Sequence, residues 1–475
     1  MSEGKPPIPV GETPREGDGA RAEPDGRFDR RLIPPMIIGS VLNPINSTII
    51  AVALVPIGAA FGAPPSETAW LVSALYLATA IGQPVVGRLI DLFGPRRLFL
   101  IGTALVGAAG IIGMLAPGLG VLIGARVLLG FGTCAGYPAA MSLLRREADR
   151  TGNDSPGGVL TLLAVANQTI AVIGPALGGL LIGVGGWRAT FALNIPLAVA
   201  ALVLGVLRLP KTPYTPPTGR GGAAARLDLP GIGLFAVMLV TLLLFLMNPG
   251  VTSLYLLAMS VLAALVFARR ELRVDEPFID LRVLGGNAPL LATYGRSLVA
   301  YVVSYAFLYG FTQWAEEGRG LSASEAGLVQ LPMFALAIVV STLTGRRKGV
   351  RGKLVVGAAG QIIACVLLLL LHASSPLWTL FAVALVFGVP QGLNNLALQN
   401  SLYRQADPER LAASAGLLRT SAYMGSMVAS AASARAFGQH AGTSGMHELA
   451  WVMIAAAVLY LLSTVADRSL CSLAV

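Results

Sequence analysis

The sequence predicts an all-α polytopic membrane protein of fourteen transmembrane helices, grouped as two six-helix lobes with two extra central helices. Three observations predict it. The 475 residues are 55% hydrophobic and 12% charged, with a mean hydropathy of +0.72, whereas soluble domains carry about a quarter charged residues. Apolar runs near the length of a membrane crossing repeat along the whole chain. The basic residues alternate between loops as the positive-inside rule requires.

The runs cover 32–56, 68–87, 98–116, 119–142, 157–183, 188–207, 229–247, 251–268, 289–313, 323–344, 354–371, 377–398, 411–433 and 448–466. Each is long enough, as a helix, to cross about 30 Å of hydrocarbon. With the N-terminus inside, 28 of the 34 basic residues fall in cytoplasmic segments. Only Arg188, Arg319 and Arg435 fall in outer loops, and Arg126, Arg296 and Arg419 fall within runs. Adding or dropping one run would scramble this alternation. The net charge of +10 is thus a matter of topology, and a nucleic-acid partner is not expected. The expected partners are the lipid bilayer and a small-molecule substrate. Both termini are expected in the cytoplasm, with the protein in the cytoplasmic membrane.

Residues 1–31 hold Pro6, Pro7, Pro9, Pro14 and Pro24 among scattered charges and read as a disordered tail. The domain reading is a six-helix lobe over 32–208, a linker with two extra helices over 209–288, a second lobe over 289–467 and a tail over 468–475. So short a tail leaves no room for a signalling domain, which argues against a sensor. Cys134, Cys365 and Cys471 are isolated, and His372, His440 and His447 are scattered near outer loops. Neither set has the spacing of a metal site or disulfide framework. No nucleophile–base cluster lies within the runs, so neither an enzyme nor a cofactor is expected.

Polar side chains inside a membrane concentrate where helices line a cavity or pack within the bundle. Asn43 and Asn46 fall in run 1, Gln83 in run 2, Arg126 in run 4, and Asn167 and Gln168 in run 5. In the second half Arg296 falls in run 9, Gln330 in run 10, Gln391, Asn394 and Asn395 in run 12, and Arg419 in run 13. Runs 7 and 8 contain no Asn, Gln or ionisable residue and read as a lipid-facing pair. Asn194 in run 6 and Gln361 in run 11 are exceptions. The amides of runs 5 and 12 read as interhelical glue more than as ligands. Loops 87–97 and 345–353 both begin Gly-Arg, at an offset near 250 residues, as expected of two repeats in a secondary transporter.

Run 9 places Tyr301, Tyr305 and Tyr309 on one face, with Glu316 on the same face at helical periodicity. Arg296 and Trp314 share a nearly opposite face. Tyrosines at this spacing suit an aromatic wall for a flat apolar substrate, with Glu316 as proton carrier or cation anchor. An interfacial aromatic belt with a solvated loop acid is the plainer alternative. Arg126, Arg296 and Arg419 either snorkel or contact an anionic substrate group.

Three motifs carry a family resemblance. Gly87-Arg-Leu-Ile-Asp91-Leu-Phe-Gly94-Pro-Arg96-Arg97, Leu122-x-x-x-Arg126-x-x-Leu129-Gly130-x-Gly132 and Gly174-Pro175-Ala-Leu-Gly178-Gly179 stand in runs 2 to 5. Together they resemble the major facilitator superfamily, and within it the 14-span drug:proton antiporter branch, over about 32–467. The resemblance implies the major facilitator fold and outward movement of drug-like amphipathic molecules by alternating access, with proton influx, each chain acting as a monomer. It implies a conformational latch for Asp91, Arg96 and Arg97, proton coupling for Arg126, and close helix contact at the run 5 glycines. The chain departs from the family in run 1, where Asn46 stands in place of the usual Asp and cannot titrate. None of the 24 acids lies near the middle of a run. A carrier for a small anionic or zwitterionic metabolite is the alternative reading.

Overall fold

A computed structural model describes residues 29–151, 157–211, 228–274, 277–279, 281–282, 286–345, 349–406, 411–467 and 469–472. Residues 1–28, half of the C-terminal tail, and the side chains of Asp91 and Gln168 lie outside the described set. Every predicted run falls on helix. We number the main helices α1 (Ile33–Ile49), α2 (Pro65–Phe93), α3 (Pro95–Met114), α4 (Leu119–Thr133, continued by Gly136–Thr151), α5 (Gly157–Gly185), α6 (Asn194–Arg208), α7 (Leu229–Met247) and α8 (Leu254–Glu271). The second half comprises α9 (Ala288–Ala306), α10 (Ala323–Gly345), α11 (Val350–Leu369), α12 (Leu377–Gln405), α13 (Leu411–Phe437) and α14 (Thr443–Ala466). Eleven helices among the described residues are long and apolar enough to cross a membrane. Of the fourteen runs, those on α5, α9 and α13 are not among the eleven. Two of these, α9 and α13, carry Arg296 and Arg419 and four of the tyrosines described below.

Local signals explain the helix ends. Helices α2 and α3 meet at Gly94, whose φ of 85° is a conformation that glycine adopts without strain, and Pro95 opens α3. Asp228 caps α7 by accepting from the Gly231 N–H at 3.2 Å, and Asn287 caps α9 by accepting from the Leu290 N–H at 3.0 Å. After Ala306, α9 continues through two π turns, Phe307–Phe311 and Trp314–Gly318. A π turn carries an extra residue, so the helical periodicity that placed Glu316 beside the tyrosines does not extend past this point.

The packing repeats. In the first half α1 packs on α4, α5 and α6, α4 on α2 and α3, and α3 on α6. In the second half α9 packs on α12, α13 and α14, α12 on α10 and α11, and α11 on α14. Each pair recurs at an offset of eight helices. The halves join through α2 on α13 and α5 on α10, which the same offset exchanges. Helices α7 and α8 form a hairpin, and α7 packs on both α2 and α13. This corrects the purely lipid-facing reading. The outer helix α8 does keep large apolar side chains exposed, among them Leu262 at 62% and Leu265 at 64%.

Both junctions are tied at the end predicted to face outward. At α2–α13, the Ser66 N–H donates to the Gly438 carbonyl at 3.1 Å, and the Ser430 hydroxyl to the Ala69 carbonyl at 2.8 Å. At α5–α10, the Ser324 hydroxyl donates to the Gly179 carbonyl at 2.8 Å. The run 5 motif makes this approach possible. A Cβ at Gly179 would lie 2.6 Å from the Ala323 oxygen, and one at Gly327 would collide with the Pro175 carbonyl. Gly174 and Gly178 face Thr48, Ile49 and Val52 of the first half in the same manner. In run 4, a Cβ at Gly130 would lie 2.7 Å from the Leu75 carbonyl, so that glycine lets α4 close on α2.

Candidate functional site

The helices that cross between halves bring aromatic side chains to the junction. Tyr301, Tyr305 and Tyr309 project from successive turns of α9, and their rings stack at 5.8 and 5.7 Å. Tyr76 of α2 extends the row from the other half, 5.2 Å from Tyr305, and Tyr423 of α13 lies 5.6 Å beyond it. The Tyr309 hydroxyl donates to the Ser47 carbonyl of α1 at 3.0 Å. Its only proton is thereby used, so Tyr76 is the donor in the 2.9 Å bond between the two phenols. Tyr76 is the member that sequence reasoning missed, because it stands alone in an apolar run and has no periodic partner on its own helix.

A guanidinium stands near each end of the row. Arg126 is 2% exposed; its Nε donates to the Leu71 carbonyl at 2.9 Å and its Nη1 to the Asn46 carbonyl at 3.2 Å. It lies close enough to Tyr76 and Tyr309 to interact electrostatically, and among the described residues its Nη2 is buried without a partner. A pocket with room for about one water molecule adjoins it, lined by Asn46, Arg126, Thr190 and Phe191. At the other end the Arg419 guanidinium lies 3.9 Å over the ring of Tyr137 of α4, and interacts with Tyr301 and Tyr423. Among the described residues Arg419 makes no ion pair.

The remaining predicted residues separate by what they touch. Asn46 and Asn194 exchange both amide hydrogen bonds, at 2.7 and 3.0 Å. Asn46 therefore joins α1 to α6, and its side chain is committed to that partner. Asn43 ties α1 to α4 instead, its Nδ2 donating to the Thr133 hydroxyl at 3.1 Å. Gln83 is buried on α2. Arg296 is corrected from an unpaired intramembrane cation: its Nη2 donates to Asp467 at 2.6 Å, just past the end of α14. Trp314 donates to the Thr443 hydroxyl of the same helix at 3.1 Å. Glu316 lies in the second π turn, only 6% exposed, which corrects the solvated loop acid. Among the described residues it has neither a hydrogen-bond nor a charged partner. In the first turn of α3, Arg96 donates to the Val206 carbonyl of α6 at 3.0 Å. Gly87 has open space around it, and Arg97 also has a partner.

The geometry defines a helical membrane transporter: two repeated halves, joined by two exchanged junctions, with an aromatic and cationic centre shared between them. The chain belongs to the major facilitator superfamily, whose model matches residues 36–430. It is a multi-pass membrane transporter and not an enzyme. It is 32% identical to the uncharacterized MFS-type transporter YwoD of Bacillus subtilis (strain 168), over 88% of this chain and 92% of that one. It is 30% identical to the lincomycin resistance protein of Streptomyces lincolnensis, over 90% of each. The fold is also similar to a crystal structure of a bacterial homolog of the human lysosomal transporter Spinster, inward-facing and unoccupied. That match has a TM-score of 0.63 at 16% identity and covers 93% of this chain and 97% of the other.

Proposed function

We propose that this protein exports amphipathic, flat-ringed small molecules across the cytoplasmic membrane by alternating access, coupled to proton influx. The observation that carries the reading is the row Tyr301–Tyr305–Tyr309–Tyr76, contributed by both halves and flanked by Arg126 and Arg419. Aromatic faces bind planar apolar surface without demanding one hydrogen-bond pattern, which suits varied substrates. A resistance protein among the relatives supports the direction of transport. In this reading the lobes span 32–208 and 289–467, both termini are cytoplasmic, one chain suffices, and Asp91, Arg96 and Arg97 latch one conformation. Glu316 is the proton carrier, since it is a buried acid without a partner among the described residues and Asn46 cannot titrate.

The unpartnered Nη2 of Arg126 favours a second reading, a carrier for one small anionic metabolite. Outward flux of dyes, antibiotics and organic anions from cells stripped of their own efflux pumps separates the two. We expect protonophore-sensitive export of several unrelated planar compounds, abolished in Glu316→Gln. Export of one anionic chemotype alone, lost in Arg126→Ala and indifferent to Glu316→Gln, would establish the second reading instead.

A further inference from the structure

A second pocket lies between α9 and α12, away from Arg126. Tyr301 and Ser304 line one side and Gln391, Asn394 and Asn395 the other. Asn394 is 4% exposed and its two amide atoms differ in their commitments. Its Oδ1 accepts from the Tyr460 hydroxyl of α14 at 3.1 Å, while its Nδ2 is buried without a partner among the described residues. Gly357 of α11 leaves room for that oxygen, since a Cβ there would collide with it. Asn395 is also held, its Oδ1 accepting from Gln399 at 2.9 Å. The Tyr301 ring, stacked on Tyr305, bounds the pocket on the side of the aromatic row.

We propose that this pocket is a niche for a carbonyl oxygen of the substrate, with the attached planar ring lying along Tyr301. A buried amide N–H without an acceptor has lost its water and gained nothing in return, a cost that a ligand acceptor recovers and a hydrocarbon edge does not. The pocket holds about one water-sized group, so it takes an oxygen and leaves the ring in the aromatic row. The substrate class is thus a planar ring bearing carbonyl acceptors, such as an imide, lactam or quinone. The inference refines the substrate of the proposed exporter and rests on that reading for the aromatic row alone.

The test is equilibrium binding to the full chain in lipid nanodiscs, with 1,8-naphthalimide and its carbonyl-free counterpart of similar shape, acenaphthene. Wild type should bind the imide about fivefold tighter or more, the factor that about 1 kcal/mol per hydrogen bond gives. Asn394→Leu should abolish that preference while acenaphthene still binds, which also reports that the variant is folded. Gly357→Ala, which changes no pocket residue, should do the same by displacing the amide. Tyr301→Leu should weaken both ligands together. Equal binding of the two probes by wild type, binding of neither, or equal weakening of both by Asn394→Leu would overturn the niche. Export of planar dyes with no preference between the probes removes the niche and leaves the exporter. Preference without any export in cells removes the exporter and leaves the niche.

Discussion

Arg296 shows what a single residue in this chain must secure. Its side chain is fully buried, with its Nε donating to the Ala292 carbonyl at 3.1 Å and its Nη2 to Asp467. Burial tends to raise the Asp467 carboxyl, but the N–H and hydroxyl of Ser469 and the Arg296 guanidinium outweigh it and hold the group below the usual carboxylate range. A depressed carboxylate contributes its stability fully above its ordinary pKa of about 4, and loses it as the pH falls through the lower folded value. Asp467→Asn, which leaves a buried guanidinium without its counter-charge, should therefore destabilise the protein by about 3 kcal/mol at neutral pH. Melting of the purified protein at pH 7 and at pH 3 checks this. The variant should melt well below wild type at pH 7, and the gap should narrow at pH 3. An equal gap at both pH values would remove the ion pair as the cause. The partner was not legible in the sequence because 171 residues separate the two and Asp467 lies just outside the last apolar run. The Asn46–Asn194 pair escaped notice for the same reason. Each amide was visible as a costly residue, but the helix it would face was not.

Elements were more legible than contacts. Periodic apolar runs and loop charges placed the helices, because length and hydropathy are local properties that the membrane enforces. The α9 tyrosine stack was also legible, since Tyr301, Tyr305 and Tyr309 lie within regular spacing. Glu316 was misplaced because nothing in the residues Phe307–Gly318 marks the two π turns. The α7–α8 hairpin was read as lipid-facing on composition, yet α7 lies over the α2–α13 junction. There the Ser73 hydroxyl reaches the Met247 sulfur at 3.8 Å. The base of the hairpin is pinned by Arg270, which donates to Asp228 at 2.6 and 3.0 Å, while Glu271 accepts from the Ile279 N–H at 2.8 Å. An inert apolar substitute for α8 alone should preserve transport, because it leaves α7 in place over the junction. Replacing α7 as well should lower transport several-fold with normal membrane insertion, because in an alternating-access cycle the junction it covers must move. Full transport by the double replacement would show that α7 is a passive spacer.

At the scale of the whole molecule, the two junctions are related by the same repeat, and both are closed at the same end. If they form one gate, opening either must open the other, because two rigid halves cannot separate along one edge and stay joined along the opposite one. The α5–α10 junction can be forced from within. A side chain at Gly327 would meet the Pro175 carbonyl, a backbone atom that cannot swing aside. Gly327→Leu should therefore shift the population toward the conformation open at this end. The readout belongs at the other junction, at Ser430, which is 2% exposed beneath the Ala69 carbonyl. Cys134 and Cys365 are buried, so Ser430→Cys with Cys471→Ser offers one accessible thiol to a membrane-impermeant maleimide added from outside. Labelling should rise about tenfold when Gly327→Leu is added, the change that a bias of about 1.4 kcal/mol produces. Unchanged labelling at Ser430→Cys, with Ser324→Cys becoming reactive, would mean that the junctions yield one at a time. The halves would then flex instead of rocking as rigid bodies, and the tyrosine row that bridges them through Tyr76 and Tyr309 would be the hinge between them.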